Sequence, residues 1–259
     1  MLKNIVDSCK YLLNNYPEAK ACKDYLDERL AIVSQDQFDF GYFPNIQNID
    51  ALLSLVDESE LRDDKLLYSK EIEDAWCPRT LNFLFFENHP LVMPYRDAYG
   101  NIVGIVGRTL LSDSDRQKNK ISKYKNTEFI SNAYKKFKKG NFLYGLYENK
   151  KAILENDGVF VVEGQFDVIK SVEKGFRNIV ALGNSNMSTY QFSLISRYTN
   201  NIFLLLDKDE AGEKGRRRIL DKFGKLANIH NFYLPDGYKD IDEFLSQNNY
   251  ESLVFSVKS

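Results

Sequence analysis

The sequence contains few of the residues that build metal and redox centres from sulfur and imidazole. It has three cysteines and two histidines among 259 residues, and no two cysteines follow a CxxC spacing. This set does not make a zinc site, so we expect no zinc. We interpret Cys9, Cys22 and Cys77 as buried free thiols.

Long apolar runs are also absent. No stretch reaches the roughly 20 residues that span a bilayer, and Asp7, Asn14 and Asn15 interrupt the apolar positions where a signal peptide has none. We therefore expect a soluble, cytoplasmic protein, in a cell or a virus-infected cell, with no membrane partner. The hydrophobic fraction of 43% is typical of a globular chain, and its length suits two lobes.

The formal net charge of −2 hides an uneven distribution along the chain. From Arg116 to Lys139 there are nine basic residues and one acid, Glu128, which is a local charge of +8. Aromatic residues lie between the basic ones: Tyr124, Phe129, Tyr134 and Phe137. Cations interleaved with aromatic rings are typical of a nucleic-acid-binding surface.

The apolar patterns predict two lobes. In residues 1–148 we predict helices and a β-hairpin, hence a mixed α+β lobe; the elements are helices at Ile5–Asn14, Pro17–Ala31, Ile49–Val56 and Ser59–Ser69, and hairpin strands at Pro90–Arg96 and Ile102–Arg108. Residues 149–259 alternate strand and helix, with strands near 158–163, 178–183, 201–207 and 229–234. We therefore predict an α/β fold whose second domain has a central parallel sheet of about four strands flanked by helices.

Acidic residues follow three of these predicted strands: Glu163 with Asp167, Asp207 with Asp209, and Asp240 with Asp242. Carboxyl ends of parallel strands meet at one edge of the sheet, where open α/β sheets have their active sites. Carboxylates gathered there repel one another unless cations bind, and such oxygens suit Mg²⁺ or Mn²⁺. Gly212 leaves room for close backbone approach. The alternative interpretation is that acids such as Asp209 and Asp240 only cap helices.

The motifs carry a family resemblance. The sequences Glu163-Gly164, Asp207-x-Asp209 and Ala211-Gly212 on this strand pattern resemble the Toprim domain of bacterial-type primases, topoisomerases and some nucleases. More closely, the chain resembles the catalytic core of DnaG-type primases over roughly residues 20–250. The segments that match in order are Tyr25–Arg29, Phe40–Tyr42, Gly107–Arg108, Lys123–Thr127, Lys139–Leu146, Val162–Asp167 and Lys239–Glu243.

The resemblance implies template-directed synthesis of RNA primers on single-stranded DNA from ribonucleoside triphosphates. It implies catalytic roles for Glu163, Asp207 and Asp209, which would hold two or more divalent ions; Glu163 is alternatively an acid or base. The full implied set of metal-binding residues is Glu163, Asp167, Asp207, Asp209, Asp240 and Asp242. The implied nucleic-acid- and nucleotide-binding residues are Arg29, Arg108, Lys123, Lys125 and Lys139.

Members of this family usually also carry a zinc-binding domain that reads the template and a domain that docks on the replicative helicase. Neither pattern occurs in this sequence. We therefore expect a compact phage-like or mobile-element primase, or a core fragment, that obtains a zinc-binding module and a helicase in trans.

Two other functions use the same residues. A Toprim-type nuclease would activate water with these acids, although the P-loop of the ATPase linked to one such group does not occur here. A non-catalytic protein that binds template or helicase is the other alternative. The complete acid set argues against that alternative, because unused clustered carboxylates are costly.

Overall fold

The computed structural model describes residues 2–72, 79–127, 137–252 and 256–258, and the chain divides into two compact units. The first unit comprises Met1–Tyr95 and Ile102–Phe137, and the second comprises Arg96–Asn101 and Lys138–Ser259. The units divide after Phe137 rather than at the predicted 148/149, because the helix Leu146–Glu155 contributes Leu146 and Ile153 to the core of the second unit.

Helices and strands alternate along much of the described chain. The helices are α1 Leu2–Asn15, α2 Lys20–Arg29, α3 Ile32–Gln37, α4 Ile49–Leu53, α5 Glu58–Asp63, α6 Asp113–Asn119, α7 Leu146–Glu155, α8 Gln165–Glu173, α9 Thr189–Ile195, α10 Glu210–Phe223 and α11 Ile241–Gln247. The strands are β1 Gly41–Tyr42, β2 Leu67–Ile72, β3 Arg79–Leu84, β4 Leu91–Arg96, β5 Ile102–Arg108, β6 Tyr124–Asn126, β7 Val159–Val162, β8 Ile179–Ala181, β9 Asn201–Leu204, β10 Asn228–Tyr233 and β11 Ser256–Lys258. Among the described residues, no helix combines the length and apolar character that crossing a membrane requires.

The first unit contains a four-stranded sheet in the order β1-β4-β5-β6 and a separate ribbon of β2 and β3. The predicted hairpin is confirmed as β4 and β5. The predicted helix Ser59–Ser69 is wrong in its second half, because α5 ends at Asp63 and Leu67 begins strand β2. Lys65 has a φ of +51°, which a helix cannot accommodate, and β2 then pairs antiparallel with β3.

Two of the predicted buried thiols lie in this unit. A Cβ at Gly41 in β1 would lie 2.6 Å from the Cβ of Cys9 in α1, so glycine permits the close approach of helix and strand. Burial raises the pKa of the Cys9 thiol and raises that of Cys22 to about 12, so both stay protonated. Both are free and buried, as predicted; Cys77 lies outside the described residues.

The second unit contains the predicted parallel sheet, with strand order β11-β10-β9-β7-β8. Strands β7 to β10 are parallel, which confirms the predicted four strands, and β11 adds an antiparallel edge. From β7 the chain first places β8 on one side and then crosses to place β9 on the other. The order therefore reverses between β7 and β9, and in open α/β sheets ligands bind outside the carboxyl ends of the strands at such a reversal.

Helices cover both faces of this sheet, as a buried parallel sheet requires. Val159 and Val161 of β7 join a core with side chains of α7, α9 and α10. Phe160 points to the opposite face, where its ring packs against those of Phe176 and Phe203. Helix α8 is buried along most of its length and packs against α11. The edge that carries the acids is therefore built on a rigid, two-sided core.

Candidate active site

Glu163 and Asp207 lie at the carboxyl ends of the two strands that flank the reversal in strand order. Glu163 directly follows β7, and Asp207 comes three residues after the last residue of β9. The backbone N–H of Asp207 donates a hydrogen bond to Oε1 of Glu163 over 3.3 Å. These two predicted site residues are therefore in direct contact.

The electrostatics of this pair disfavour two negative charges. Burial, followed by the charges of Asp207 and Asp209, raises the pKa of Glu163 to about 7. Burial and then the charge of Asp240 raise the pKa of Asp207, while Lys239 acts in the opposite direction. Both carboxyls would therefore be stabilised by an added cation.

Asp209 caps a helix with one carboxylate oxygen and faces a cation with the other. Its Oδ1 accepts a hydrogen bond of 2.9 Å from the N–H of Gly212 and so caps helix α10. A Cβ at Gly212 would lie 2.2 Å from the carbonyl oxygen of Asp207 and 3.2 Å from Oε1 of Glu163. Glycine is thus needed for the first turn of α10 to approach the acids. Capping does not account for the other carboxylate oxygen of Asp209, which faces an ammonium group described below.

Asp167 is the most deeply buried carboxylate of the set, with 7% of its surface exposed. Its Oδ2 accepts a 2.9 Å hydrogen bond from the N–H of Gly164, and its Oδ1 accepts a 3.4 Å bond from the N–H of Asp242. Burial, then the charges of Asp240 and Asp207, raise the pKa of Asp167. Asp167 therefore joins the start of α8 to the start of α11.

Asp240 is the N-cap of α11, and its Oδ1 accepts a 2.9 Å hydrogen bond from the N–H of Glu243. Asp242 is half-buried in the first turn of the same helix. The alternative capping interpretation is thus correct for the local geometry of both Asp209 and Asp240. Asp240 caps its helix and also lies near other acids, because its charge raises the pKa values of Asp167 and Asp207.

Two lysines, Lys208 and Lys239, contact the loops that carry the acids. The ammonium of Lys239 lies 3.7 Å from Oδ2 of Asp207 and 3.9 Å from Oδ2 of Asp209, so both carboxylates face the same cation. Lys208 points away from them: its ammonium donates to the carbonyl of Leu234 and pairs with Asp236 over 2.9 Å. Sequence reasoning missed Lys208, although side-chain alternation through Asp207-Lys208-Asp209 predicts this opposite direction.

Arg216 is a second residue that sequence reasoning missed. Arg216, Arg217 and Arg218 are consecutive in helix α10, and the burial of one of them was not predicted from the sequence. The Arg216 side chain is 1% exposed, whereas Arg217 and Arg218 are exposed. Burial lowers the pKa of Arg216, while Tyr233, Glu213 and the acids Glu163 and Asp207 act in the opposite direction.

Lys139 is the predicted basic residue that lies in the same unit as the acids. Its ammonium donates a 2.9 Å hydrogen bond to the carbonyl of Gly183, two residues after the last residue of β8. The N–H of Gly183 in turn donates to the backbone carbonyl of Glu163 over 2.9 Å. Lys139 is therefore connected to the acidic edge through one residue.

The other predicted basic residues form a cluster with tyrosines in the first unit. The guanidinium of Arg108 lies 5.0 Å from the ring centre of Tyr25 and 5.1 Å from that of Tyr124, and Arg108 also donates to the Tyr124 hydroxyl. The guanidinium of Arg29 lies 5.5 Å from the Tyr25 ring. Lys123 is exposed, with its ammonium 5.8 Å from the Tyr124 ring.

Lys125 differs from its neighbours in this cluster because its ammonium lies 4.2 Å from the ring centre of Phe85, and burial lowers its pKa. The remainder of the basic, aromatic segment, including Glu128, Phe129 and Tyr134, lies outside the described residues. Phe137 is buried rather than presented at the surface.

The acidic edge fits a divalent cation by the chemistry of its donors. The donors are carboxylate oxygens, the ligands that hard cations prefer, and the ammonium of Lys239 already stands within 4 Å of two of them. Across the described ranges, no group of three or more His, Cys, Asp or Glu side chains is close enough to hold one ion in the present arrangement. Any ion at this edge would therefore be bound after carboxylates turn toward it.

Comparison with known families identifies both parts of the chain. A family model described as Toprim-like matches residues 160–245, so the second unit contains a Toprim-like domain. A model described as the N-terminal domain of the DNA primase catalytic core matches residues 10–150, which is more than half of the chain. The chain thus belongs to the family of DnaG-type DNA primase catalytic cores, and the resemblance found in the sequence is confirmed. A Toprim domain implies divalent metal binding in general.

Individual relatives agree with this assignment. A DNA primase of Aquifex aeolicus (strain VF5) is 31% identical over 224 residues, 86% of this chain and 41% of that protein. The crystal structure of the Aquifex aeolicus primase, with its zinc-binding and RNA polymerase domains, matches with a TM-score of 0.76 and 30% identity, covering 96% of this chain and 57% of that one. A DnaG primase catalytic domain bound to single-stranded DNA matches with a TM-score of 0.73 and 25% identity, covering 96% and 79%. The chain spans about two fifths of the curated relatives it matches.

Proposed function

We propose that this chain synthesises short RNA primers on single-stranded DNA by metal-dependent nucleotidyl transfer. The observation that carries the proposal is the set of six carboxylates at the carboxyl edge of the Toprim-like sheet, with Glu163 and Asp207 in direct contact at the reversal in strand order. The family membership supports it, because the relatives that the chain resembles are DNA primases.

In this proposal Glu163, Asp207 and Asp209 are the catalytic ligands, and Asp167, Asp240 and Asp242 complete the metal-binding set. Two or more ions, Mg²⁺ or Mn²⁺, would supply positive charge that activates a primer 3′-hydroxyl and stabilises the leaving pyrophosphate. Asp209 and Asp240 also cap their helices, and Oδ2 of Asp209 faces the ammonium of Lys239. A pKa of about 7 also suits Glu163 to accept a proton at neutral pH.

The basic residues divide into three roles by their exposure and position. Lys123 is exposed and would contact template phosphates, which supply salt-dependent affinity. Arg108 is 8% exposed and would support the surface by holding the rings of Tyr25 and Tyr124; Arg29 and Lys125 have similar supporting positions. Lys139, joined to the acidic edge through Gly183, would contact the incoming nucleotide. The DNA-bound relative supports the choice of single-stranded DNA as template.

The partners and the setting belong to the same proposal. The Aquifex aeolicus structure joins a zinc-binding domain to its RNA polymerase domain, which supports a zinc-binding template-recognition module as a partner in trans. A replicative helicase partner, a cytoplasmic location and a phage-like origin stay predictions of the sequence. So does the division of labour in which the first lobe binds nucleic acid and the second is catalytic.

The test is incorporation of labelled ribonucleotides on single-stranded DNA with Mg²⁺ or Mn²⁺, with template integrity followed in parallel. Asp207→Asn removes one carboxylate charge at nearly constant shape, and Asp221→Asn on the exposed face of α10 is the matched control. We expect template-dependent products from the wild type and the control and none from Asp207→Asn.

Other outcomes count against primer synthesis. Template degradation without synthesis, lost in Asp207→Asn, would indicate the Toprim-type nuclease. Neither synthesis nor degradation by the wild type, even with the zinc-binding domain of a relative added, would refute the proposal and favour a non-catalytic binder.

A further inference from the structure

Arg216 lies on the inward face of α10. Gly212, Ile219 and Phe223 share this face at helical spacing, and all are buried. The Arg216 side chain is 1% exposed, so its guanidinium must be satisfied entirely within the protein.

The guanidinium donates to three backbone carbonyls, two within strands β9 and β10 and one just after β9. Its Nη1 donates to the carbonyl of Leu204 over 2.6 Å and to that of Phe232 over 3.1 Å, and its Nη2 donates to the carbonyl of Leu206 over 2.5 Å. Its centre lies 4.3 Å from the ring centre of Tyr233, and its Nε lies 3.3 Å from a carboxylate oxygen of Glu213. A planar fork with five donors fits this arrangement, and a lysine ammonium does not.

The three carbonyls lie where two strands end and the acidic loops begin. Leu204 is the last residue of β9, and Leu206 directly precedes Asp207. Phe232 lies next to the end of β10, from which the chain continues to the loop of Asp240 and Asp242. The guanidinium therefore links the ends of the two strands that lead into the loops of four carboxylates, those of Asp207, Asp209, Asp240 and Asp242.

The charge of Arg216 also acts on the acids. It lowers the pKa of Glu163, and Glu163 and Asp207 act on the guanidinium in return. The guanidinium binds backbone carbonyls and Glu213 rather than the carboxylates of the site. It therefore offsets their repulsion without occupying the oxygens that would ligate an ion.

We propose that Arg216 is a positioning residue of the acidic site, which holds the loop of Asp207 and Asp209 in register with Glu163 so that divalent ions bind. The proposal rests on the function proposed above in that the ions are those of primer synthesis. Residues that orient metal ligands without touching the metal commonly affect ion affinity by about tenfold or more when replaced.

The test separates the geometry of the guanidinium from its charge. Arg216→Lys keeps the positive charge and removes the planar fork, and Arg217→Lys makes the same change at the adjacent exposed position as the matched control. Both variants and the wild type, each with all 259 residues, are titrated with Mn²⁺ by calorimetry and by the paramagnetic resonance of free Mn²⁺, after cooperative unfolding has been verified. Primer synthesis is then measured against Mn²⁺ concentration.

We expect the Mn²⁺ dissociation constant to rise by about tenfold in Arg216→Lys and to stay within twofold of the wild type in Arg217→Lys. The Mn²⁺ concentration that gives half-maximal synthesis should rise in parallel, with the maximal rate less affected. An Arg216→Lys constant within twofold of the control would overturn the proposal, as would a wild type that binds no Mn²⁺.

Two further arms keep the outcome clear. If Arg216→Lys does not fold, Tyr233→Leu replaces it, because that change removes the ring on the guanidinium and leaves all three carbonyl acceptors; unchanged Mn²⁺ affinity would then overturn the proposal. If the wild type binds Mn²⁺ but makes no primers, the proposed function fails, and the role of Arg216 is decided by the binding titration alone.

Discussion

Glu163 should make the protein less stable at alkaline pH in the absence of divalent ions. Burial and neighbouring carboxylates raise its pKa from 4.5 to about 7, so its ionised form costs more in the folded state than in the unfolded state. At about 1.4 kcal/mol for each tenfold change in proton affinity, the upper bound is about 3 kcal/mol. Because solvent reaches this half-buried carboxyl and screens its charge, we take about 1–2 kcal/mol.

Glu163→Gln removes the charge and keeps the shape and the oxygen that accepts from the N–H of Asp207. We expect the variant to be more stable than the wild type by about 1–2 kcal/mol at pH 8 in chelator, which corresponds to about 2–8 °C in melting temperature for a chain of this size. The sign follows from the raised pKa. The cost is fully present above pH 7, declines between pH 7 and 4.5, and is absent below 4.5, where the carboxyl is protonated in both states.

Thermal unfolding followed by circular dichroism at pH 8 and at pH 4.5 measures this difference. Glu155→Gln, at an exposed position whose pair with Lys151 spans 3.6 Å, is the control, and we expect it to change stability by less than about 0.5 kcal/mol. Added Mn²⁺ should stabilise the wild type and not Glu163→Gln, because an ion that binds only the folded state stabilises it. A variant no more stable than the wild type at pH 8, or equally stabilised at both pH values, would refute the reasoning.

Three further predictions follow from the same edge and from the basic cluster. Asp209→Asn keeps the helix cap, so we expect primer synthesis to be lost with stability changed by less than about 0.5 kcal/mol, whereas Asp209→Ala should also cost about 1 kcal/mol in chemical denaturation. Gly212→Ala places a methyl 2.2 Å from the carbonyl oxygen of Asp207, so we expect it to lower the free energy of unfolding by about 1–3 kcal/mol and to weaken Mn²⁺ binding. In the control Gly140→Ala the nearest atom to the new methyl lies at 3.7 Å, so this variant should fold and bind Mn²⁺ like the wild type. Lys123→Gln should weaken binding to single-stranded DNA and reduce the dependence of log affinity on log salt by about one unit, measured by fluorescence anisotropy, whereas Lys20→Gln should not.

Each of these has an outcome that contradicts it. Full primer synthesis by Asp209→Asn would remove this carboxylate from the catalytic set. Equal stability of Gly212→Ala and Gly140→Ala would mean that the loop of Asp207 shifts to accommodate the added methyl at little cost in free energy. An unchanged salt dependence in Lys123→Gln would place the template phosphates elsewhere.

The acidic edge was predictable from the sequence because its signals are local. Strands β7, β8 and β9 are short and mostly apolar, and acids follow three of the four parallel strands: Glu163 after β7, Asp207 after β9 and Asp240 after β10. The sequence Ser188-Thr189-Tyr190-Gln191 also indicates, from its spacing alone, the capping box that begins α9. Such local patterns match the structure because strands of a sheet that is buried on both faces need apolar side chains on both faces.

Arg216 was not predicted because charge alone does not distinguish three consecutive arginines. The helical period from Gly212 to Ile219 and Phe223 would have placed Arg216 on the buried face, and not Arg217 or Arg218. Strand β2 was missed for a different reason. Its pairing with β3 spans the chain from Leu67 to Leu84, and a window along the sequence does not detect such a pairing.

The hairpin turn Arg96–Asn101 belongs to the second unit, although the strands on either side of it continue in the first. Within the second unit, Arg96 pairs with Glu148 over 2.9 Å with both side chains largely buried, and the ammonium of Lys150 donates to the carbonyl of Ala98. The backbone therefore passes from one unit to the other three times. No single cut separates them, and a fragment beginning at Lys138 would leave Glu148 buried without this arginine, so the Toprim-like part is not a module that truncation can isolate intact.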